Sequence, residues 1–345
     1  MDIEIDNQGG LYVSGLFSDT ATFGSNIVTA VQPSSNSITV SDNFLVKYDT
    51  SGVFKWIKTG ATTRNDFTNN PNGFNNNSFN YYARSKIKFK NNFVYLMASN
   101  KVSNSTLGVI PANGRKFDGI VLPNTQVIGG GGFNGYSFDN SFILKTDING
   151  NNSWLTSIYC NTTDDFDAII GLDFDVKSNG HIVSQYYYSS NGFNIQGGLI
   201  SQVGGANPVS ISGFSTPNTV PLGAMCIIEL DNSGVYFADY KIENLYTSFS
   251  YFGGFGSNID YISYGISVDD SNNVFLTYNN QNNGQYNQLV NGINIPERSN
   301  VLMKLNSNLL PTNFKILNSF PSQTRNNFPI TALEIKKNNL ILVAI

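Results

Sequence analysis

The sequence predicts an all-β chain assembled from a repeated four-stranded antiparallel unit, and three observations carry that expectation. An alternating strand, a tight polar turn and a second apolar strand recur five times. A different apolar strand, followed by a turn and an aromatic, recurs four times and always falls between copies of the first. Composition disfavours helix: about one residue in seven is Asn, and Asn, Gly, Ser and the aromatics are all poor helix formers.

The first motif opens the chain as Ile3-Glu4-Ile5-Asp6, turn, Leu11-Tyr12-Val13. It returns as Ile87-Lys88-Phe89-Lys90 with Phe93-Val94-Tyr95-Leu96, and as Phe174-Asp175-Val176-Lys177 with His181-Ile182-Val183. The last two copies are Ile266-Ser267-Val268-Asp269 with Val274-Phe275-Leu276, and Leu333-Glu334-Ile335-Lys336 with Leu340-Ile341-Leu342-Val343. Period-2 alternation around an Asn, Gly or Asp turn predicts a β-hairpin, strands A and B, at each.

The second motif supplies strands C and D. It reads Phe44-Leu45-Val46-Lys47-Tyr48-Asp49, Phe142-Ile143-Leu144-Lys145-Thr146-Asp147, Cys226-Ile227-Ile228-Glu229-Leu230-Asp231 and Val301-Leu302-Met303-Lys304-Leu305-Asn306. Asp-x-x-Gly turns follow at Asp49 to Gly52, Asp147 to Gly150 and Asp231 to Gly234; the trailing aromatics are Trp56, Trp154, Phe237 and Phe314. Four antiparallel strands per unit, repeated, is the signature of β-propeller blades. The expected fold is a propeller of about four complete blades plus a terminal hairpin, one domain over 1–345. Its units run over about 1–82, 83–170, 171–262 and 263–330, with a partial one over 331–345.

The first unit resembles the SBBP-type seven-bladed β-propeller repeat. The likeness lies in Ile5-Asp6-Asn7-Gln8-Gly9-Gly10-Leu11-Tyr12-Val13-Ser14-Gly15-Leu16-Phe17, in Thr22-Phe23-Gly24, and in Asp42-Asn43-Phe44-Leu45-Val46-Lys47-Tyr48-Asp49 with Gly52 to Trp56. That repeat runs D-x-x-G-N-x-Y-V-x-G-x-F, then F-G, then D-x-F-L-V-K-Y-D and a trailing W. The second unit matches over Ser141 to Trp154, and the third and fourth keep the strand-turn skeleton. The resemblance implies extracellular or cell-surface bacterial proteins, or proteins of large DNA viruses, and it implies no catalytic residues. Four units and half of a fifth do not close a ring as written. The expectation is a chain that continues past Ile345, or else a short ring whose last hairpin caps or swaps.

Strand parity locates a working edge. Consecutive antiparallel strands send A–B and C–D turns to one edge and B–C and D–A connections to the other. The first set is short. The second spans about 18–41, 100–137, 189–223 and 279–299 for B–C, and about 60–82, 161–170, 240–264 and 318–330 for D–A. Long connections in a compact domain carry function or disorder. Candidate binding residues there are Phe133, Tyr187, Phe193 and Tyr251, each in or beside Gly- and Asn-rich stretches. Such rings stack on sugars or proteins while amide neighbours hydrogen-bond. The alternative is that they pack on blade edges and that the Asn-Gly pairs are turns.

Other chemistry is thin. The 345 residues are 40% hydrophobic and 13% charged, with a net charge of −4. That balance lacks the basic footprint nucleic acid requires. No apolar run reaches the ~20 residues of a membrane helix, and the chain opens on an alternating strand rather than an export signal. A single His, His181, falls in B-strand register and reads as structural, with no nucleophile motif beside it. Cys160 and Cys226 read as small buried hydrophobes. Asp164, Asp165 and Asp167 could begin a Ca²⁺ site but read as turn residues, and Asp147 to Asn151 fits a hairpin turn better than a calcium loop. No cofactor or metal is expected. N-x-S/T sites begin at Asn76, Asn104, Asn151 and Asn161. Lys47, Lys145 and Lys304 are expected along a blade edge with packed stems and solvated heads.

The leading expectation is a non-enzymatic, surface-exposed or secreted binding or adhesion module, taking a protein or glycan on the long-loop edge. The runner-up is an architectural subunit of a cell-surface layer or virion. A glycan-active enzyme stands third, resting on loop carboxylates and the versatility of the fold class.

Overall fold

The computed structural model describes residues 1–31, 40–64, 85–100, 116–122, 140–160, 168–189, 192–199, 209–212, 223–245, 264–280, 288–290, 292–296, 299–319, 330–336 and 339–344. Among these the chain is all β, with no helix. It divides into two compact units. The first comprises Met1–Gly171, Ser190–Gly213 and Ser233–Val235; the second comprises Leu172–Ser189, Phe214–Asn232 and Tyr236–Ile345.

The first repeat contains β1 (Asp2–Ile5), β2 (Leu11–Phe17), β3 (Thr20–Phe23), β4 (Asn26–Thr29), β5 (Val40–Tyr48) and β6 (Phe54–Arg64). The second contains β7 (Lys86–Lys90), β8 (Phe93–Asn100), β9 (Lys116–Phe117), β10 (Ile120–Val121), β11 (Asn140–Asp147) and β12 (Asn152–Cys160). The third contains β13 (Ala168–Val176), β14 (Ile182–Ser189), β15 (Gly192–Leu199), β16 (Val209–Ser212), β17 (Gly223–Leu230) and β18 (Tyr236–Leu245). The fourth contains β19 (Ile266–Val268), β20 (Val274–Asn280), β21 (Gln288–Val290), β22 (Ile293–Ile295), β23 (Ser299–Leu305) and β24 (Pro311–Ser319). The terminal hairpin is β25 (Ile330–Lys336) with β26 (Asn339–Ala344).

Each repeat forms a four-stranded antiparallel meander: β1-β2-β5-β6, β7-β8-β11-β12, β13-β14-β17-β18 and β19-β20-β23-β24. Registers pair the expected strands, for example Val13 with Val46 and Val46 with Ile57. The B–C connections hold more structure than their composition suggests. Each contains a hairpin of its own, and two of these extend the sheet of the preceding repeat. β9 pairs with β6 through Gly60 and Phe117, and β15 pairs with β12 from Trp154–Leu199 to Cys160–Phe193. An outer strand with an open hydrogen-bonding edge is a liability, and these hairpins cover two of them.

A carboxylate or amide holds most of the short turns. Asp6 Oδ1 accepts from Gln8 N and Gly10 N, and Asp49 Oδ1 from Ser51 N and Val53 N. Asp147, Asp269 and Asn306 repeat the pattern at the residues two and four ahead. The residue three ahead takes a positive φ, which favours Gly at Gly52 and Gly150; Leu309 adopts it at φ 60°. These are three-residue hairpin loops closed by a bulge.

Packing in the first unit follows the strand alternation. Tyr12 and Leu45 on one face of the first sheet meet Ile87, Val94, Leu96, Phe142 and Leu144 of the second, with Phe117 of β9 beside them. On the opposite face of the first sheet, Phe17, Phe44 and Val46 are covered by Phe23 and Val28 of the β3–β4 hairpin. That face stays open at Ile3 and Ile5, which are 53% and 62% exposed, whereas Ile87, Phe174, Ile266 and Leu333 in the register of Ile3 are buried.

Candidate functional site

The expected loop-edge residues separate. Phe133 and Tyr251 lie outside the described residues, as do Asp164, Asp165, Asp167, Asn76, Asn104 and Asn161. Tyr187 does not stand exposed: it pairs with Met225 inside the third sheet and is buried. The triple Tyr186-Tyr187-Tyr188 continues strand B instead of leaving it, because β14 runs on to Ser189 and buries all three rings. Phe193 is part of β15, its backbone paired to Cys160 on one side and Ile211 on the other.

The short-turn edge of the first two repeats, by contrast, holds a formed cleft of about 510 Å³. It is lined by Asp6, Gln8, Gly10, Lys47, Asp49, Thr50, Lys55, Trp56, Ile148 and Asn149. Three turns build it: the A–B and C–D turns of the first repeat and the C–D turn of the second. Trp56 faces Lys47 across the β5–β6 ladder, and its indole Nε1 donates to Ile148 O at 3.2 Å. Tyr12 packs at a tilt 5.9 Å from Trp56 and stacks on Phe89 at 6.1 Å. A Cβ at Gly150 would come within 3.2 Å of the indole, so the close turn there depends on glycine.

Charges in the cleft are matched one to one. Lys47 Nζ lies 3.2 Å from Asp6 Oδ2, and Lys55 Nζ lies 2.8 Å from Asp49 Oδ2. Lys47 also donates to Ile148 O at 3.0 Å, joining the first repeat to the second. Burial opposes ionisation of Asp6, but donors at Gly10 N, the Tyr12 hydroxyl, Gln8 N and Lys47 hold its carboxyl below the ordinary range. Burial, together with the bond to Asp6, pushes the Tyr12 phenol upward. The carboxyl of Asp147 is likewise lowered: burial resists, and the amides of Asn151, Asn149 and Gly150 prevail.

The heads of two C-strand lysines, Lys47 and Lys145, are not solvated as expected. Lys47 sits in the ion pair just described. Lys145 is buried with Nζ 4.2 Å from the centre of the Phe93 ring, and burial lowers its pKa. Lys304 Nζ lies 5.0 Å over Phe275. The strand positions turn these stems toward aromatic neighbours, where cation–π attraction offsets part of the lost hydration. In the third repeat Glu229 occupies the lysine position; it takes Lys177 Nζ at 2.7 Å and His181 Nδ1 at 2.8 Å. Cys226 is a free, buried thiol with its pKa raised by burial. Asn151 Nδ2 is engaged with Asp147 Oδ2. Among the described residues no three His, Cys, Asp or Glu side chains converge to hold a metal ion, and no helix is long and apolar enough to cross a membrane.

Sequence reasoning passed over this cleft because each contributor looked like punctuation: a turn Asp, a turn Thr, a trailing Trp. The available signal was a Trp two residues into the strand that follows an Asp-x-x-Gly turn, at Trp56; Trp154 carries the same signal and is buried. No family model matches the chain, and no curated protein matches it in sequence. Among solved structures, the polysaccharide lyase Uly1 aligns at TM-score 0.30 and 9% identity, covering 93% of this chain and 78% of the other. A quinoprotein alcohol dehydrogenase-like protein from Bacteroides thetaiotaomicron aligns at TM-score 0.20 and 11% identity, covering 90% of this chain and 89% of the other.

Proposed function

We propose that the chain is a β-propeller-type, non-enzymatic binding module of the cell surface or extracellular space, which takes a protein or glycan partner on its long-connection edge. The observation that supports this reading is the sorting of connections by the four-stranded meanders. Every A–B and C–D turn is short and most are held by an Asp or Asn side chain, while the B–C connections and three of the four D–A connections are longer. Lengthening one edge alone is how a rigid sheet scaffold presents variable recognition loops.

The test compares Phe133→Ala and Tyr251→Ala with the parent on immobilised glycans and on whole cells. Binding that falls with unchanged melting temperature supports the reading. Binding that is absent from both surfaces, or indifferent to both substitutions, refutes it. An architectural role is the second reading, favoured by β9 and β15, which extend neighbouring sheets rather than standing free. It predicts ordered assemblies at high protein concentration and no saturable partner.

A further inference from the structure

We propose that the cleft on the short-turn edge of the first two repeats is a second binding site, for an uncharged saccharide, separate from the long-connection edge. Three observations converge on that ligand class. The indole of Trp56 is half-buried and forms part of the wall, and its only polar atom is already committed to Ile148 O. The Gly150 turn and Lys58 Nζ, 5.6 Å from the ring centre, cover part of the indole; the part that lines the cleft offers a ligand apolar surface and no hydrogen bond, which suits the C–H groups of a sugar ring.

The polar lining is of the kind hydroxyl groups use. Gln8 and Asn149 each bring an exposed amide, with one acceptor and two donors, and Thr50 brings a hydroxyl. The charges select against ions. Asp6 with Lys47, and Asp49 with Lys55, leave the cleft with two cations and two carboxylates already paired. A phosphate, sulfate or uronate that approached either ammonium would meet the carboxylate beside it, so a neutral ligand is favoured.

The site is also built in advance. All three turns that line it are held by a carboxylate: Asp6, Asp49 and Asp147 each bond the amides two and four residues ahead. Binding therefore requires little ordering of the chain, which favours measurable affinity from a small contact area. The matching aromatic of the second repeat, Trp154, is buried at 1% exposure, so that repeat does not present its indole as the first does.

The protein contains two tryptophans, and burial of Trp154 makes Trp56 the solvent-facing one, so its emission reports directly on the cleft. The probes are cellohexaose, maltohexaose, xylohexaose and chitohexaose, each titrated to about 20 mM to span weak affinities. The expected result is a saturable emission shift with at least one of them. Asn149→Ala, an exposed change that leaves the fold intact, weakens it several-fold. Trp56→Phe keeps an aromatic wall, abolishes the emission signal, and retains binding by calorimetry. Trp56→Ala weakens binding by about tenfold, the loss of one ring contact. Phe133→Ala leaves all of this unchanged, which separates the cleft from the long-connection edge. No saturable response to any of the four sugars, or an equal response to a neutral Gly-Ser hexapeptide, would overturn the proposal.

Discussion

The first and third repeats solve one electrostatic problem with opposite sequences. In the first, the carboxylate ends strand A at Asp6 and the ammonium comes from strand C at Lys47, 3.2 Å apart. In the third, the ammonium ends strand A at Lys177 and the carboxylate comes from strand C at Glu229, 2.7 Å apart. Both ammonium groups then reach into the next repeat and donate to the carbonyl just after the residue that starts its C–D turn. Lys47 takes Ile148 O at 3.0 Å, and Lys177 takes Ser307 O at 2.8 Å. A cation bonded to a neighbouring turn is thus kept in space while its position in the sequence changes. The second repeat carries Lys at both places, Lys90 and Lys145, and beds Lys145 on Phe93 instead.

The two pairs differ in what surrounds them, and that difference ranks the expected losses. Lys177 and Glu229 are each 2% exposed at the side chain, and His181 also rests on Glu229. Glu229→Gln therefore strands a buried ammonium and should cost about 3 kcal/mol in denaturant unfolding. Adding Lys177→Asp together with Glu229→Lys, which rebuilds the order of the first repeat, should recover all but about 1 kcal/mol. If the double exchange is no better than the single change, the two arrangements are not equivalent. Lys47→Met should cost less, about 1–2 kcal/mol, because Asp6 keeps its bonds from Gly10 N, Gln8 N and the Tyr12 hydroxyl.

The C–D turns sharpen the comparison at a smaller scale. Gly52 and Gly150 hold the same place at φ 77° and 89°, yet a Cβ on Gly52 meets nothing within 4 Å while one on Gly150 meets the Trp56 ring at 3.2 Å. Gly52→Ala should cost about 1 kcal/mol, from backbone strain alone. Gly150→Ala should cost more and shift Trp56 emission. Equal costs, or an unmoved emission maximum, would mean the indole is not seated against this turn.

Acid gives the smallest effects. The carboxyls of Asp6, Asp49 and Asp147 titrate below the ordinary range when folded, lowered by the turn amides and, at Asp49, first by Lys55. As pH falls below about 4 the unfolded chain binds protons first, so stability present above that value is lost as pH drops through the folded pKa values. Asn306 makes the same two turn bonds with an amide, which does not titrate there. On acidification, hydrogen exchange should accelerate at Gly10, Val53 and Asn151 before it does at Leu310. Simultaneous release of all four would show that the side-chain bonds do not control these turns.

Local pattern in the sequence was enough to name the hairpins. Ile3-Glu4-Ile5 and its four later copies alternate with period two, and the Asp-x-x-Gly turns require a positive φ at their last residue, so strands A to D and their order were legible from neighbours a few residues apart. What those strands meet was decided only in three dimensions. Alternation states which side chains face one way, but not which surface lies opposite; hence Tyr187 and Lys145 went inside, and Ile3 and Ile5 stayed out. The partner of Lys47 in the second repeat, Ile148, is 101 positions away in sequence, and that of Lys177, Ser307, is 130 positions away. No local signal records such distances. The hairpins inside the B–C connections show the same limit, since pairing β9 onto β6 and β15 onto β12 depends on open strand edges that exist only once the preceding sheet has formed.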